Sequence, residues 1–258
     1  MNRIDKLFAS GRGLLSVYFT AGFPAADDTL PVLTALQDAG ADFVEIGMPF
    51  SDPLADGPVI QQASLEALRG GMSVERLLGQ LGAMRPGVAI PVVLMGYVNP
   101  VLRYGMERFL DRCRAVGVDG VILPDLPWEE YRANYRHLFD ARGIRFIPLI
   151  APQTPDARVR EIDAEAEGFI YMVASAGVTG NVRHDAEARS RYFERVAALG
   201  LRNHRMIGFG VKDAEGFRQA CAHADGAIVG TAFVSHLREH GLSAEGVARF
   251  VRSIRGAD

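Results

Sequence analysis

A carboxylate on the face of a predicted strand is the first feature of this sequence that could do chemistry. Residues 42–47 alternate as a β-strand does, which places Phe43, Glu45 and Gly47 on one face and leaves the other face wholly apolar. The apolar face suits contact with outer helices, so we expect Glu45 to point into the protein. A carboxylate there must be hydrogen-bonded, paired or protonated, because burying it unpaired is costly. Two interpretations remain open: a general acid/base with a raised pKa, or an internal salt bridge to an arginine.

A second carboxylate lies in the loop that follows this strand. Residues 48–58 contain three prolines and two aspartates, so the loop is long and stiff. In the sequence Asp56-Gly57-Pro58, the proline suits the first turn of a helix, and Asp56 could simply cap that helix. The spacing alone leaves the capping role and a catalytic role equally open.

Small residues at three later turns suggest a place for an anion. They are the run 174–180, the turn 208–210 and Gly230-Thr231, which opens a predicted helix. Backbone N–H groups at a helix N-terminus bind anions, and barrels often build such a site after their seventh and eighth strands. Glycines also make ordinary turns. Three such turns on one rim nevertheless favour a phosphate ester as the ligand.

The elements that must position these residues are short apolar runs alternating with amphipathic segments. Eight runs are predicted as strands: Leu14–Thr20, Asp42–Gly47, Pro91–Tyr97, Gly120–Leu123, Arg145–Leu149, Gly168–Val173, Arg205–Gly210 and Gly226–Gly230. Eight strand-then-helix units predict an α/β fold of the (β/α)8 TIM-barrel type, formed as a single domain by residues 1–258. The residues before Leu14 predict an extra N-terminal helix that covers the barrel floor. A doubly wound open sheet is the alternative, but the turn 20–24 lacks its glycine-rich pattern.

Composition excludes several classes of function. The chain has 258 residues, of which 48% are hydrophobic and 23% charged, with a net charge of 28 − 31 = −3, so neither nucleic acid nor an anionic membrane is indicated as a partner. The apolar runs are strand-sized, and residues 1–10 lack an apolar signal core. Cys113 and Cys221 are isolated in sequence, which fits a reducing cytosol. We therefore expect a cytoplasmic protein.

The residue types also limit the chemistry. Of the 28 basic residues only Lys6 and Lys212 are lysines, so Schiff-base chemistry has two candidates. The sequence places no histidine cluster at the strand ends, and the H-x-x-E-H pattern at 236–240 is interpreted as a solvated helix face, so no metal site is predicted. Carbon–carbon cleavage could still proceed if the substrate supplied its own electron sink.

The stretch 43–58, FVEIGMPFSDPLADGP, resembles the signature of the tryptophan synthase alpha subunit family. The segments 18–24, 95–100, 125–127, 177–180 and 208–210 also fall where that family has similar sequence, so the resemblance spans nearly the whole chain. It implies retro-aldol cleavage of indole-3-glycerol phosphate to indole and glyceraldehyde 3-phosphate. Glu45 would match the family's general acid/base, and Asp56 the carboxylate that accepts the indole N–H.

The resemblance implies further contacts with the substrate. Phe19, Tyr171 and Phe209 would surround the indole. Gly180, Gly210, Gly230 and Thr231 would hold the phosphate through their N–H groups, and Thr179 would sit on a loop that closes over the substrate. The family commonly has serine where this chain has Thr231, and many members have a Ser-Arg pair that residues 174–176 lack.

The resemblance also implies a partner. The family's beta subunit carries pyridoxal phosphate, so no cofactor is expected in this chain, and an alpha-beta-beta-alpha complex is expected. The loop around Asp52 and the segment near Asn99-Pro100 would form the docking face. Two alternatives are a stand-alone indole-3-glycerol phosphate lyase and a non-catalytic phosphate-binding barrel.

Overall fold

The structure is a computed structural model that describes residues 1–173, 182–208 and 210–256, with only the backbone described for 182–186. Nine strands in these ranges form one parallel sheet in the order β5-β4-β3-β2-β1-β9-β8-β7-β6. The strands are β1 (Leu14–Thr20), β2 (Phe43–Gly47), β3 (Val92–Met95), β4 (Gly120–Ile122), β5 (Arg145–Phe146), β6 (Leu149–Ile150), β7 (Phe169–Val173), β8 (His204–Gly208) and β9 (Gly226–Val229).

The sheet closes on itself where the predicted run Arg145–Leu149 divides into β5 and β6. Ile147 N donates to Val121 O at 3.0 Å on one side, and Pro148 O accepts from Tyr171 N at 2.9 Å on the other. The two ends of the strand order are therefore joined through one short stretch of chain. The barrel prediction is confirmed, and the open doubly wound sheet, which would have two free edges, is wrong. Division at Pro148 turns eight predicted runs into nine strands, because proline has no N–H to continue the ladder.

Helices follow nearly every strand and cover the outside of the barrel. They are α1 (Arg3–Ser10), α2 (Thr29–Asp38), α3 (Pro58–Arg69), α4 (Val74–Gln80), α5 (Val98–Tyr104), α6 (Met106–Val116), α7 (Trp128–Glu130), α8 (Arg136–Asp140), α9 (Asp156–Glu165), α10 (Val182–Ala198), α11 (Ala214–Cys221), α12 (Thr231–His240) and α13 (Ala244–Arg255), with a 3₁₀ turn at Leu81–Ala83 and a π-helical turn at Tyr131–Tyr135. No described helix is long and apolar enough to cross a membrane.

The barrel floor is closed by α1, as the sequence predicted. Phe8 of this helix is buried against Phe43 and Phe169, with ring centroids 6.3 and 5.4 Å away. Phe43 and Phe169 are themselves 5.5 Å apart across the barrel interior. This aromatic layer fills the floor, so space for a ligand is left toward the carboxyl ends of the strands.

Three aspartates fasten the amino ends of the strands. Asp42, Asp119 and Asp225 each precede a strand, and each carboxylate accepts the N–H of a residue at or near the start of a neighbouring strand, at 2.7 to 2.9 Å. The Asp119 carboxylate also binds Arg3 and Arg85 at 3.0 Å, although it is only 3% exposed. The buried charge of Asp119 is thus paired and hydrogen-bonded, as buried charge must be.

We expect Asp119→Asn to lower the free energy of unfolding by about 3 kcal/mol, because Arg85 would be left partly buried beside a neutral group. Urea unfolding at pH 7 measures the change. Asp27→Asn is the matched control: Asp27 pairs with Arg76 on the surface at 2.9 Å, so its loss should have a much smaller effect. Equal effects of the two substitutions would show that the buried pair is not a structural anchor.

Candidate active site

Glu45 is completely buried in the middle of β2. The strand pairs in parallel with β1, with Tyr18 in register with Glu45. One carboxyl oxygen, Oε1, accepts a long hydrogen bond of 3.4 Å from Ser16 Oγ, and Oε2 has no partner among the described residues. Glu45 forms no ion pair within the described part of the chain, so the salt-bridge interpretation finds no support there. Burial raises the pKa of Glu45 to about 8, and the Ser16 hydroxyl only partly offsets that rise.

Two tyrosines reach into the same region. Tyr18 of β1 and Tyr171 of β7 are both buried, and burial raises the pKa of each phenol well above its usual range. The negative charge of Asp56 adds to the rise at Tyr18, and that of Glu45 to the rise at Tyr171, so all four groups lie in one electrostatic neighbourhood. The phenols therefore stay neutral at pH 7.

Glycines on two strands make room for these phenols. A Cβ atom at Gly47 would overlap the Tyr18 hydroxyl, and one at Gly208 would overlap the Tyr171 hydroxyl. The sequence predicts an anion site at the turn 208–210. Its first glycine, Gly208, is instead required because the Tyr171 side chain packs closely against it inside the barrel. Only a residue without a side chain fits at either position.

Asp56 is held by a residue of a neighbouring element and does not cap the helix that follows. Helix α3 begins at Pro58 with Gly57 as its N-cap residue and has no side-chain cap, so the capping interpretation is wrong. Instead the Asp56 carboxylate accepts a long hydrogen bond of 3.4 Å from Tyr97 Oη, which itself accepts the Ala55 N–H at 2.9 Å. Burial raises the pKa of Asp56 to about 6, and the Tyr97 hydrogen bond opposes that rise by favouring the charged form.

A cavity of about 390 Å³ opens at the carboxyl ends of the strands. Its walls are mostly apolar, with one carboxylate, one ammonium group and two phenols among the lining residues: Tyr18, Asp56, Ile60, Met95, Tyr171, Gly210, Val211, Lys212, Ile228, Gly230, Thr231 and Ala232. Glu45 is not on the wall and is fully buried, but it lies close enough to Tyr18 and Tyr171 to affect their titration.

The start of α12 forms one end of this cavity. Gly230 is the N-cap residue, and its carbonyl accepts from Phe233 N at 2.9 Å and Val234 N at 3.0 Å. Thr231 and Ala232 precede these first intrahelical donors, so their N–H groups are among those that a helix leaves without intrahelical partners. Both residues line the cavity. This end of the cavity can therefore receive an anion.

Several residues selected from the sequence come together here. Asp56, Tyr171, Gly210, Gly230 and Thr231 all line the cavity. Thr179, Gly180 and Phe209 lie outside the described residues.

Phe19 is fully buried and does not line the cavity, whereas its neighbour Tyr18 does. The physical reason is strand alternation, which puts Ser16 and Tyr18 on the inward face of β1 and leaves Phe19 on the outward face.

Sequence reasoning missed Tyr18, Lys212 and Tyr97. The alternation of β1 was a usable signal for Tyr18, since Ser16 and Tyr18 share a face. The sequence indicates Lys212 only as one of two Schiff-base candidates. No local pattern could have indicated that Tyr97 reaches Asp56, because 41 residues separate them. Among the described residues, no three His, Cys, Asp or Glu side chains come together as metal ligands.

Comparisons with known proteins agree with this architecture. The family model described as tryptophan synthase alpha chain matches residues 4–255. The tryptophan synthase alpha chain of Christiangramia forsetii is 48% identical over 255 residues, which cover 99% of each chain. The crystal structure of tryptophan synthase subunit alpha from Legionella pneumophila superimposes with a TM-score of 0.86 at 32% identity, covering 99% of this chain and 98% of that one. A chain of tryptophan synthase from M. tuberculosis, in its aminoacrylate-bound form, gives 0.86 at 30% identity and covers 100% of both chains.

We expect Tyr97→Phe to raise the pKa of Asp56, because the carboxylate would lose a hydrogen bond that favours its charged form. Carbon-detected NMR titration of the Asp56 carboxyl measures this. Tyr104→Phe is the control, since the Tyr104 hydroxyl donates to Glu75 Oε2 at 2.9 Å on the protein surface. An unchanged or lowered Asp56 pKa in Tyr97→Phe would contradict the role given to Tyr97.

Proposed function

The chain belongs to the tryptophan synthase alpha chain family, and on that premise we propose that its cavity cleaves indole-3-glycerol phosphate to indole and glyceraldehyde 3-phosphate. The protein is thus a carbon–carbon lyase of tryptophan biosynthesis. The observation that carries the assignment to this cavity is the pair Glu45 and Asp56. Burial raises the pKa of Glu45 to about 8 and that of Asp56 to about 6. At pH 7 Glu45 is therefore a protonated acid and Asp56 an ionised base.

Glu45 acts as the general acid and then as the general base. Its proton goes to C3 of the indole ring, and the positive charge is shared with the ring nitrogen. The bond from C3 to the glycerol carbon then breaks, and its electron pair returns to the ring. The hydroxyl on that carbon becomes the aldehyde and its proton passes to the Glu45 carboxylate, which restores the acid.

Asp56 acts as a carboxylate on the other side of the ring. It accepts the indole N–H and stabilises the positive charge that protonation at C3 creates. This role needs the ionised form, which a pKa of about 6 provides at neutral pH. The ring itself is the electron sink, so the step requires neither a Schiff base nor a bound electrophile.

Glu45 must turn toward the cavity to act in this way. Its carboxyl group is fully buried and bonded to Ser16 Oγ only by a long contact of 3.4 Å, while Oε2 has no partner among the described residues. Little hydrogen bonding therefore opposes a change of rotamer. The proton travels with the carboxyl group, since burial keeps it neutral at pH 7.

The remaining contacts divide between the indole and the phosphate. We assign the indole contact of β1 to Tyr18 instead of Phe19, because Tyr18 lines the cavity. Tyr171 and Phe209 are proposed beside the same ring. Gly210, Gly230 and Thr231, together with Gly180, are proposed to bind the phosphate through N–H groups. Thr179 is proposed to cover the site when substrate binds.

The proposed partner is the beta chain of tryptophan synthase, in an alpha-beta-beta-alpha complex. The expected docking face carries Leu54, which is 95% exposed, and a groove of about 570 Å³ whose lining includes Phe50, Asn99 and Pro100. Apolar groups exposed together on one rim suit a protein partner. Pyridoxal phosphate is assigned to that partner, and no cofactor to this chain.

We also propose a single domain spanning residues 1–258 and a cytoplasmic location. One closed sheet joins all the described strands, which supports a single domain. Both cysteines are free, which supports a reducing compartment.

Release of indole from indole-3-glycerol phosphate tests the function, measured with the chain alone and with a purified beta chain. Slow cleavage that the beta chain accelerates supports the proposal. Fast cleavage without any partner would favour a stand-alone lyase. Substrate binding with no indole released under either condition would leave a phosphate-binding barrel.

We expect Glu45→Gln and Asp56→Asn each to lower kcat by about 10²- to 10⁴-fold while substrate still binds, because each removes one proton-transfer or charge-stabilising group. The matched control is Asp52→Asn in the same loop, whose carboxylate is exposed and accepts from Ser51 Oγ at 2.5 Å. Because this loop belongs to the proposed docking face, the control is compared without the beta chain, where it should cleave at nearly the rate of the unaltered chain. Retention of most activity by either Glu45→Gln or Asp56→Asn would overturn the assigned roles.

The pH dependence of kcat/KM should be bell-shaped. Asp56 must be ionised, so activity should rise through a pKa of about 6, and Glu45 must be protonated, so activity should fall through a pKa of about 8. Steady-state assays between pH 5 and pH 9.5 measure both limbs. Tyr97→Phe should move the acidic limb upward and leave the basic limb in place. A flat profile over this interval would contradict the assignment.

A further inference from the structure

We propose that Lys212 is the cationic partner of the substrate phosphate, a proposal that rests on the function given above. Lys212 lines the cavity with Gly210 and Val211, which follow β8, and Gly230 and Thr231 line it after the neighbouring strand β9. It is exposed and takes part in no ion pair with any described residue. An unpaired ammonium group at the anion end of a cavity is available to a ligand.

The charge inside the cavity is what makes this lysine necessary. Of the titratable groups on the wall, Tyr18 and Tyr171 stay neutral and Asp56 is ionised above a pKa of about 6. Glu45 remains protonated at pH 7. Without Lys212 the described lining would carry one negative charge, which repels a dianion. With Lys212 the two charges cancel, and a dianionic phosphate is attracted to one end of the cavity.

The two charged groups also give the substrate its direction. Asp56 attracts the indole N–H, and Lys212 attracts the phosphate, so the two ends of one molecule are told apart by charge. The wrong orientation would bring a phosphate dianion toward the Asp56 carboxylate. Backbone N–H groups at α12 supply hydrogen bonds but no full charge. Lys212 therefore adds an electrostatic attraction to the phosphate that these N–H groups cannot replace.

The neighbouring acid forms no ion pair with Lys212. Asp213 follows it in sequence, but the Asp213 side chain is the N-cap of α11 and accepts the Gly216 N–H at 2.9 Å. Gly210, two residues before Lys212, has a φ angle of +85°, a backbone conformation that favours glycine. Lys212 lines the cavity while the Asp213 side chain takes part in the helix cap.

The test is calorimetric binding of glycerol 3-phosphate and of indole to the full-length chain, with cleavage assays in the presence of the beta chain. Lys212→Met keeps an unbranched apolar stem and removes the charge. We expect it to weaken glycerol 3-phosphate binding and raise KM by about tenfold, with kcat changed by less than about twofold and indole binding unchanged. Lys212→Arg should restore most of the affinity, and because arginine forms no Schiff base, its retained kcat would also exclude covalent catalysis by this residue.

Lys6→Met is the matched control, because Lys6 is the only other lysine and lies on α1 at the opposite end of the barrel. It should change none of these quantities. Normal glycerol 3-phosphate affinity in Lys212→Met would overturn the proposal while leaving the lyase function intact. Weakened indole binding in that variant would also overturn it, since Lys212 would then support the cavity as a whole. If the unaltered chain releases no indole, the proposed function fails, and the calorimetric difference still decides whether Lys212 binds phosphate.

Discussion

The burial of one carboxyl group without a counter-ion is the constraint on which the site depends. Glu45 sits on an inward-facing position of a central strand, and no arginine reaches it from the described residues. Desolvation therefore decides its protonation, and the pKa rises to about 8. A nearby cation would lower the pKa of Glu45 and remove the acid that the proposed mechanism needs. The absence of a basic partner for Glu45 among the described residues is as much a part of the site as the carboxyl group itself.

Among the described residues, ionisable groups are paired at one end of the barrel and left without ion-pair partners toward the other. At the amino ends of the strands, Asp119 is fixed by Arg3, Arg85 and a backbone N–H group. These contacts neutralise the buried Asp119 charge and tie it to the start of a neighbouring strand. At the carboxyl ends, Glu45 and Lys212 are left without ion-pair partners among the described residues. Groups at this end of the barrel are therefore available to a bound substrate.

The barrel and the inward position of Glu45 were predictable because their signals are local. The alternation of residues in β2 predicts that Glu45 points inward. The eight strand–helix units predict the barrel fold. The resemblance selected Asp56, a choice that spacing left open. The contact between Tyr97 and Asp56 could not be predicted, because the two residues lie 41 positions apart in the sequence. The choice of Tyr18 over Phe19 as a cavity residue requires knowing which residues of β1 face inward. The division of the fifth run at Pro148 also needed the partners of each strand to be known.

The arrangement of Glu45 also argues that the chain catalyses and does not merely bind. A buried carboxyl group whose pKa is raised from 4.5 to about 8 holds its proton in the folded protein at pH values where the unfolded chain has released it. Folding stability from this group is therefore complete below 4.5 and is lost progressively as the pH rises toward 8. A glutamine would fill the same space without that loss. A barrel that only bound phosphate would gain nothing from the carboxyl group, whereas proton transfer to a carbon atom requires it.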